Sequence, residues 1–95
     1  MTTVTVLIGN TDNKLTQQEW AQFYMDVSGA VSREADRVQF SGSSPGFAPW
    51  QNACFVAVVE RPERLRLALG ALAAKWRQDS IAVVCGETEF VRSES

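Results

Sequence analysis

The residues that could do chemistry in this chain are few and badly placed for one another. Histidine is absent from all 95 residues. That removes the usual general base, the usual imidazole metal ligand and every Ser-His or Cys-His nucleophile pair. The two thiols, Cys54 and Cys85, stand alone, outside a C-x-x-C or any zinc-ligand spacing. Eleven carboxylates are scattered along the chain without a paired-acid motif. Glu60 and Asp79 fall near expected sheet ends and read as solvated surface acids. Neither a Walker loop nor G-x-G-x-x-G occurs. The expectation is a protein that is not an enzyme and uses neither cofactor nor metal.

Binding chemistry has three candidate sites. In the segment 9–14, Asn10, Asp12, Asn13 and Lys14 offer donors and acceptors to a small polar ligand, or form an Asx-type turn feeding a helix cap. It lacks the glycine and distal Glu of an EF-hand loop. Arg61 and Arg64 flank Pro62 at a helix start, where an anion could sit, or where Glu60 and Glu63 partner them on a solvated face. Phe47 and Trp50, in the Pro/Gly stretch 41–50, either plug one end of the core or serve as recognition anchors.

The elements that must position these residues follow from periodicity. Alternation of Val4, Val6 and Ile8 with Thr3, Thr5 and Leu7 predicts a strand over 4–8. Thr16-Gln17-Gln18-Glu19 is a capping box, and Trp20, Phe23, Tyr24, Val27, Ala30 and Val31 give the next helix one buried stripe. Gly29 inside it implies close packing on the sheet. A short strand over 37–41 should turn Val38 and Phe40 inward. Residues 53–59 are apolar on both faces and predict an interior strand, holding Cys54 buried. Pro62 opens a second helix whose buried face is Leu65, Ala68, Leu69, Leu72 and Trp76. A strand over 81–85, with Cys85 also buried, is followed by a turn at Gly86-Glu87 and a short fifth strand over 88–91.

The order βαββαβ is the split βαβ pattern of ferredoxin-like sandwiches. The predicted fold is therefore a single α+β domain over 1–95: two helices on one face of a four-stranded antiparallel sheet, plus the short extra strand. A net charge of −2 gives no electrostatic support to nucleic-acid or membrane binding. With no basic leader and no apolar run of about 18 residues, the expectation is a cytoplasmic protein with reduced thiols.

The run Pro49-Trp50-Gln51-Asn52-Ala53-Cys54-Phe55-Val56, with the helix end Trp76-Arg77-Gln78-Asp79-Ser80-Ile81-Ala82-Val83, resembles a family of small uncharacterised actinobacterial and phage proteins. Residues 8–10 and 12–16 are similar to the same kind of protein. The resemblance implies a small cytosolic accessory protein of bacterial or phage origin, acting in the host cytoplasm if phage-encoded; it brings no catalytic residue. The uncovered sheet face, expected to carry Thr3, Thr5, Leu7, Phe55 and Val59, is too apolar to stand in water. The function expected is thus a non-enzymatic interaction module that binds itself or another protein, with Leu7, Phe47, Trp50 and Phe55 as contact candidates. The alternative is an ACT-like domain that senses a small molecule or anion at a dimer interface.

Overall fold

The structure, a computed structural model, describes residues 2–45 and 50–94. Its elements are β1 (Thr2–Gly9), α1 (Gln17–Glu34), β2 (Arg37–Ser43), β3 (Asn52–Val58), α2 (Pro62–Lys75) and β4 (Ala82–Glu87). The strands form one antiparallel sheet in the order β2-β3-β1-β4. Each helix carries the chain across a neighbouring strand, and both helices cover the same face. The predicted ferredoxin-like sandwich is the observed fold.

Local chemistry sets the helix ends. Thr16 Oγ1 accepts from the Glu19 amide at 3.1 Å, while the Thr16 amide donates to Glu19 Oε1 at 3.0 Å, completing the capping box. Pro62 occupies the first turn of α2, where its missing N–H leaves no bond unmade. Arg77 closes α2 in the left-handed conformation at φ 57°, and the Gln78 amide reaches back to the Ala73 carbonyl at 2.8 Å.

The core lies between the helices and one face of the two central strands. Val4, Val6 and Ile8 of β1 and Ala53, Phe55 and Ala57 of β3 meet Trp20, Phe23, Val27 and Val31 of α1 and Leu65 and Leu69 of α2. The Phe23 ring sits between those of Trp20 and Trp76, at centroid distances of 6.1 and 6.3 Å. Tyr24 packs on Phe55 at 5.3 Å. At the surface the two helices are joined by Asp26, which accepts from Lys75 Nζ at 3.0 Å and Trp76 Nε1 at 2.9 Å. Ion pairs link Arg77 to Glu19 at 2.9 Å and Arg64 to Glu34 at 3.5 Å.

The structure corrects the sequence expectations in five places. Phe55 and Val59 are buried in the core rather than on the uncovered face, and Val56 and Val58 take the uncovered side. Because 53–59 is apolar throughout, its alternation has no phase; pairing of Phe55 with Val6 sets it. Val38 and Phe40 are exposed, because β2 is an edge strand. A bulge between them also shifts the register, so that Val38 pairs with Ala57 on the helix side and Phe40 with Val56 on the other. Gly86 and Glu87 continue β4 instead of turning, and 88–91 forms no strand. Cys54 is half-buried on the face opposite the helices, and Cys85 is exposed on the helix side of the edge strand β4 beside Arg66; both are free. A β-carbon at Gly29 would meet only the Arg33 side chain, at 3.4 Å, and nothing of the sheet.

Candidate functional site

The sheet face opposite the helices is uncovered, and each strand contributes to it by its pairing. β1 presents Thr3, Thr5 and Leu7; β3 presents Cys54, Val56 and Val58; β2 presents Phe40 and Gly42; β4 presents Ala82, Val84 and Gly86. Arg37, opposite Val58, is the charged residue at one corner. Within the face, Phe40 is 57% exposed, Val84 58% and Leu7 43%. Apart from Thr3, Thr5 and Arg37, the side chains that water meets on this face are apolar or thiol.

One end of this face is hollow. A cavity of about 370 Å³ is lined by Leu7, Phe40, Gly42, Trp50, Asn52 and Cys54. Trp50 stands 51% exposed at its rim, so it is not a plug of the core. Its backbone is fixed from below: Ser44 Oγ donates to the Trp50 carbonyl at 3.2 Å and accepts from the Asn52 amide at 3.0 Å. Phe47, its expected companion, lies outside the described residues. A larger groove of about 550 Å³ runs between α2 and β4 on the helix side, floored by Leu69, Ala73, Ile81 and Val83. There Arg66 Nη2 donates to Cys85 Sγ at 3.2 Å.

The polar candidates are placed at two ends of the sheet. Asn10 is buried and occupied: Nδ2 donates to the Leu15 carbonyl at 3.0 Å and to Gln51 Oε1 at 2.9 Å, and Oδ1 accepts from the Leu15 amide at 2.9 Å. It clasps the loop, with Asn13 left-handed at φ 56°. Asp12 Oδ1 accepts from the Lys14 amide at 3.2 Å, an Asx turn, and Lys14 Nζ donates to the Arg77 carbonyl at 3.1 Å. Arg61 and Arg64 lie at the far end with Glu34, Asp36 and Glu60 around one shallow cleft.

Two carboxyls of α1 are held below their usual range. Glu19 is lowered first by its bond from the Thr16 backbone and then by Arg77. Asp26 is lowered by the bonds from Lys75 and Trp76. Among the described residues, no cluster of three or more Cys, Asp or Glu is arranged to hold a metal ion. No helix among them is long and apolar enough to cross a membrane. What the face can do chemically is exclude water from another apolar surface.

Leu7 and Trp50 were legible as contact candidates; Phe40, Val56, Val58 and Val84 were not. The signal for Phe40 was Gly42 two residues on, a small residue in an edge strand that leaves room beside an aromatic ring.

No protein-family model matches the chain, and no curated protein matches it. Two solved structures share its fold. A dimeric ferredoxin-like protein of unknown function from Thermobifida fusca is 16% identical, with a TM-score of 0.54 over 93% of this chain and 92% of that one. The C-terminal domain of the MgtC protein from Mycobacterium tuberculosis is 14% identical, with a TM-score of 0.51 over 98% of this chain and 92% of that one. At these identities the likeness is one of fold. The phage connection implied by the sequence resemblance has no counterpart among them.

Proposed function

We propose that this chain is a non-enzymatic interaction module whose working surface is the uncovered sheet face, and that it acts there by binding a second copy of itself. The observation that carries this is the composition of the face: Leu7, Phe40, Trp50 and Val84 are exposed on one side of a four-stranded sheet, around half-buried Cys54, Val56 and Val58. Contiguous apolar patches of more than a few hundred Å² on small proteins mark interaction surfaces. With strands about 4.8 Å apart and about 3.4 Å per residue, four strands of six to eight residues present roughly 450 Å² in projection. The accessible area of the side chains and the Trp50 rim add to that, approaching the ~800 Å² per partner of a standard dimer. A two-fold axis brings the same face of both copies together, which is how an isologous dimer forms. The dimeric state of the Thermobifida fusca protein supports the same choice of partner.

Sedimentation equilibrium tests this on the wild type, Phe40→Glu and Leu67→Glu. Leu67 is 77% exposed on α2, on the other layer, and serves as the control. The expected result is a dimer for the wild type and Leu67→Glu, and a folded monomer for Phe40→Glu. A wild type that stays monomeric up to its solubility limit overturns the proposal.

A further inference from the structure

The residues after β4 carry two apolar side chains with nowhere to go. Phe90 is 73% exposed and Val91 87%. The sequence Thr88-Glu89-Phe90-Val91 has strand-forming composition, yet no strand forms there. The segment is nevertheless tethered. The Thr88 hydroxyl is hydrogen-bonded to that of Thr3, which lies on the uncovered face. Phe90 thus lies two residues beyond a tether at the corner of that face where β4 meets the start of β1. The hollow lined by Leu7, Phe40, Trp50 and Cys54 lies at the diagonally opposite corner, at the end of β1 and toward β2.

We infer that Phe90 of one copy fills the Leu7–Phe40–Trp50 hollow of the second copy, and that this exchange locks the dimer. The inference rests on the self-association proposed above and adds its register. A knob and a hole at opposite corners of one face can both be satisfied only by a two-fold axis lying in the interface along the other diagonal. That axis crosses the strands of the two sheets steeply, as in orthogonal sheet packing. Area supports the exchange: the face with its side chains only approaches the accessible area of a standard interface. A buried Phe contributes about 150–250 Å² of its own, and each dimer buries two. Ring-on-ring contact with Phe40 and Trp50 also gives an aromatic anchor in a pocket, the usual form of an interface hot spot. The companion Val91 extends the apolar contact along the segment.

Cys54 lines the hollow and is free, which supplies the test. Phe90→Cys is prepared in a Cys85→Ser background and exposed to dissolved oxygen as the oxidant. The expected product is a covalent dimer on a non-reducing gel, whose peptide mass shows the introduced thiol joined to Cys54; adding Cys54→Ser abolishes it. Phe90 is exposed in the single copy, so its replacement leaves folding intact, and Phe90→Ser weakens association at least tenfold by sedimentation. A wild-type dimer whose Phe90→Cys variant gives no such link, and whose affinity is unchanged in Phe90→Ser, overturns the exchange while leaving face-to-face association standing. A monomeric wild type overturns both.

Discussion

The ring of Phe40 lies over Gly42, two residues further along β2, so closely that a β-carbon on Gly42 would stand 2.8 Å from Phe40 Cζ. The bulge after Val38 puts both residues on the uncovered face, and the Phe40 ring takes the space a Gly42 side chain would fill, so that the two together form one wall of the hollow. An aromatic ring resting on a strand glycine covers backbone that would otherwise be wet, and it sets the ring's position on an edge strand.

Gly42→Val should therefore push the Phe40 ring off its seat and fill the hollow from below. On an exposed edge strand the ring can swing away, so the stability cost should stay within about 1 kcal/mol. Association should fall at least tenfold. Chemical denaturation and sedimentation on the same variant check this; unchanged association would remove the hollow from the interface.

Much of the fold was legible because its signals are local. The Thr16–Glu19 capping box, Pro62 at the start of α2 and the stripe Leu65, Leu69 and Leu72 each need only a few neighbouring residues to be recognised. The faces of the strands were not local information. In 53–59 every residue is apolar, so only the pairing of Phe55 with Val6 decides which side is buried. In β2, a bulge after Val38 leaves Val38 on the helix side but turns Phe40 to the uncovered side, and no residue type in the strand requires a bulge there. The segment 88–91 reads as a strand because its composition suits one, but composition does not supply a neighbouring edge. The candidate site follows the same division: Leu7 and Trp50 lie on the uncovered face or its rim, whereas Phe55 is in the core and Phe40 is on the face.

Asn10 holds its loop rather than a ligand, and its removal should cost stability. Asn10→Ala leaves the buried Leu15 amide and carbonyl without their side-chain partners. An unsatisfied buried group costs about 1–3 kcal/mol, and two are at stake here. The denaturation midpoint should fall clearly, with self-association retained wherever the protein remains folded. A change below about 0.5 kcal/mol would show that water replaces the clasp at little cost.

The Asp26 contacts give the fold a defined response to acid. Hydrogen bonds from Lys75 and then Trp76 lower this carboxyl below the ordinary aspartate value of 3.8. A group depressed in the folded state stabilises it fully above its unfolded pKa, and the contribution is lost as pH falls through the lower folded value. Glu19, lowered chiefly by the Thr16 backbone, acts in the same direction. Asp26→Asn should thus lower stability at neutral pH and narrow its gap to the wild type as pH drops below 3.8. Thermal melts across that range read the gap directly; a gap that widened in acid would reverse the sign.

The two free thiols allow self-association through the uncovered face to be measured in one tube. Cys54 lies on that face beside the hollow, whereas Cys85 is exposed on the helix side of the edge strand, beside Arg66. Alkylation is followed by peptide mass at increasing protein concentration, with the Cys85 rate as internal reference. Burial of the face between two copies slows Cys54 relative to Cys85 as concentration rises, and Phe40→Glu restores the dilute-limit ratio. A ratio of the two rates that is independent of concentration would mean the face stays open to water, and would contradict its assignment as the surface on which two copies meet.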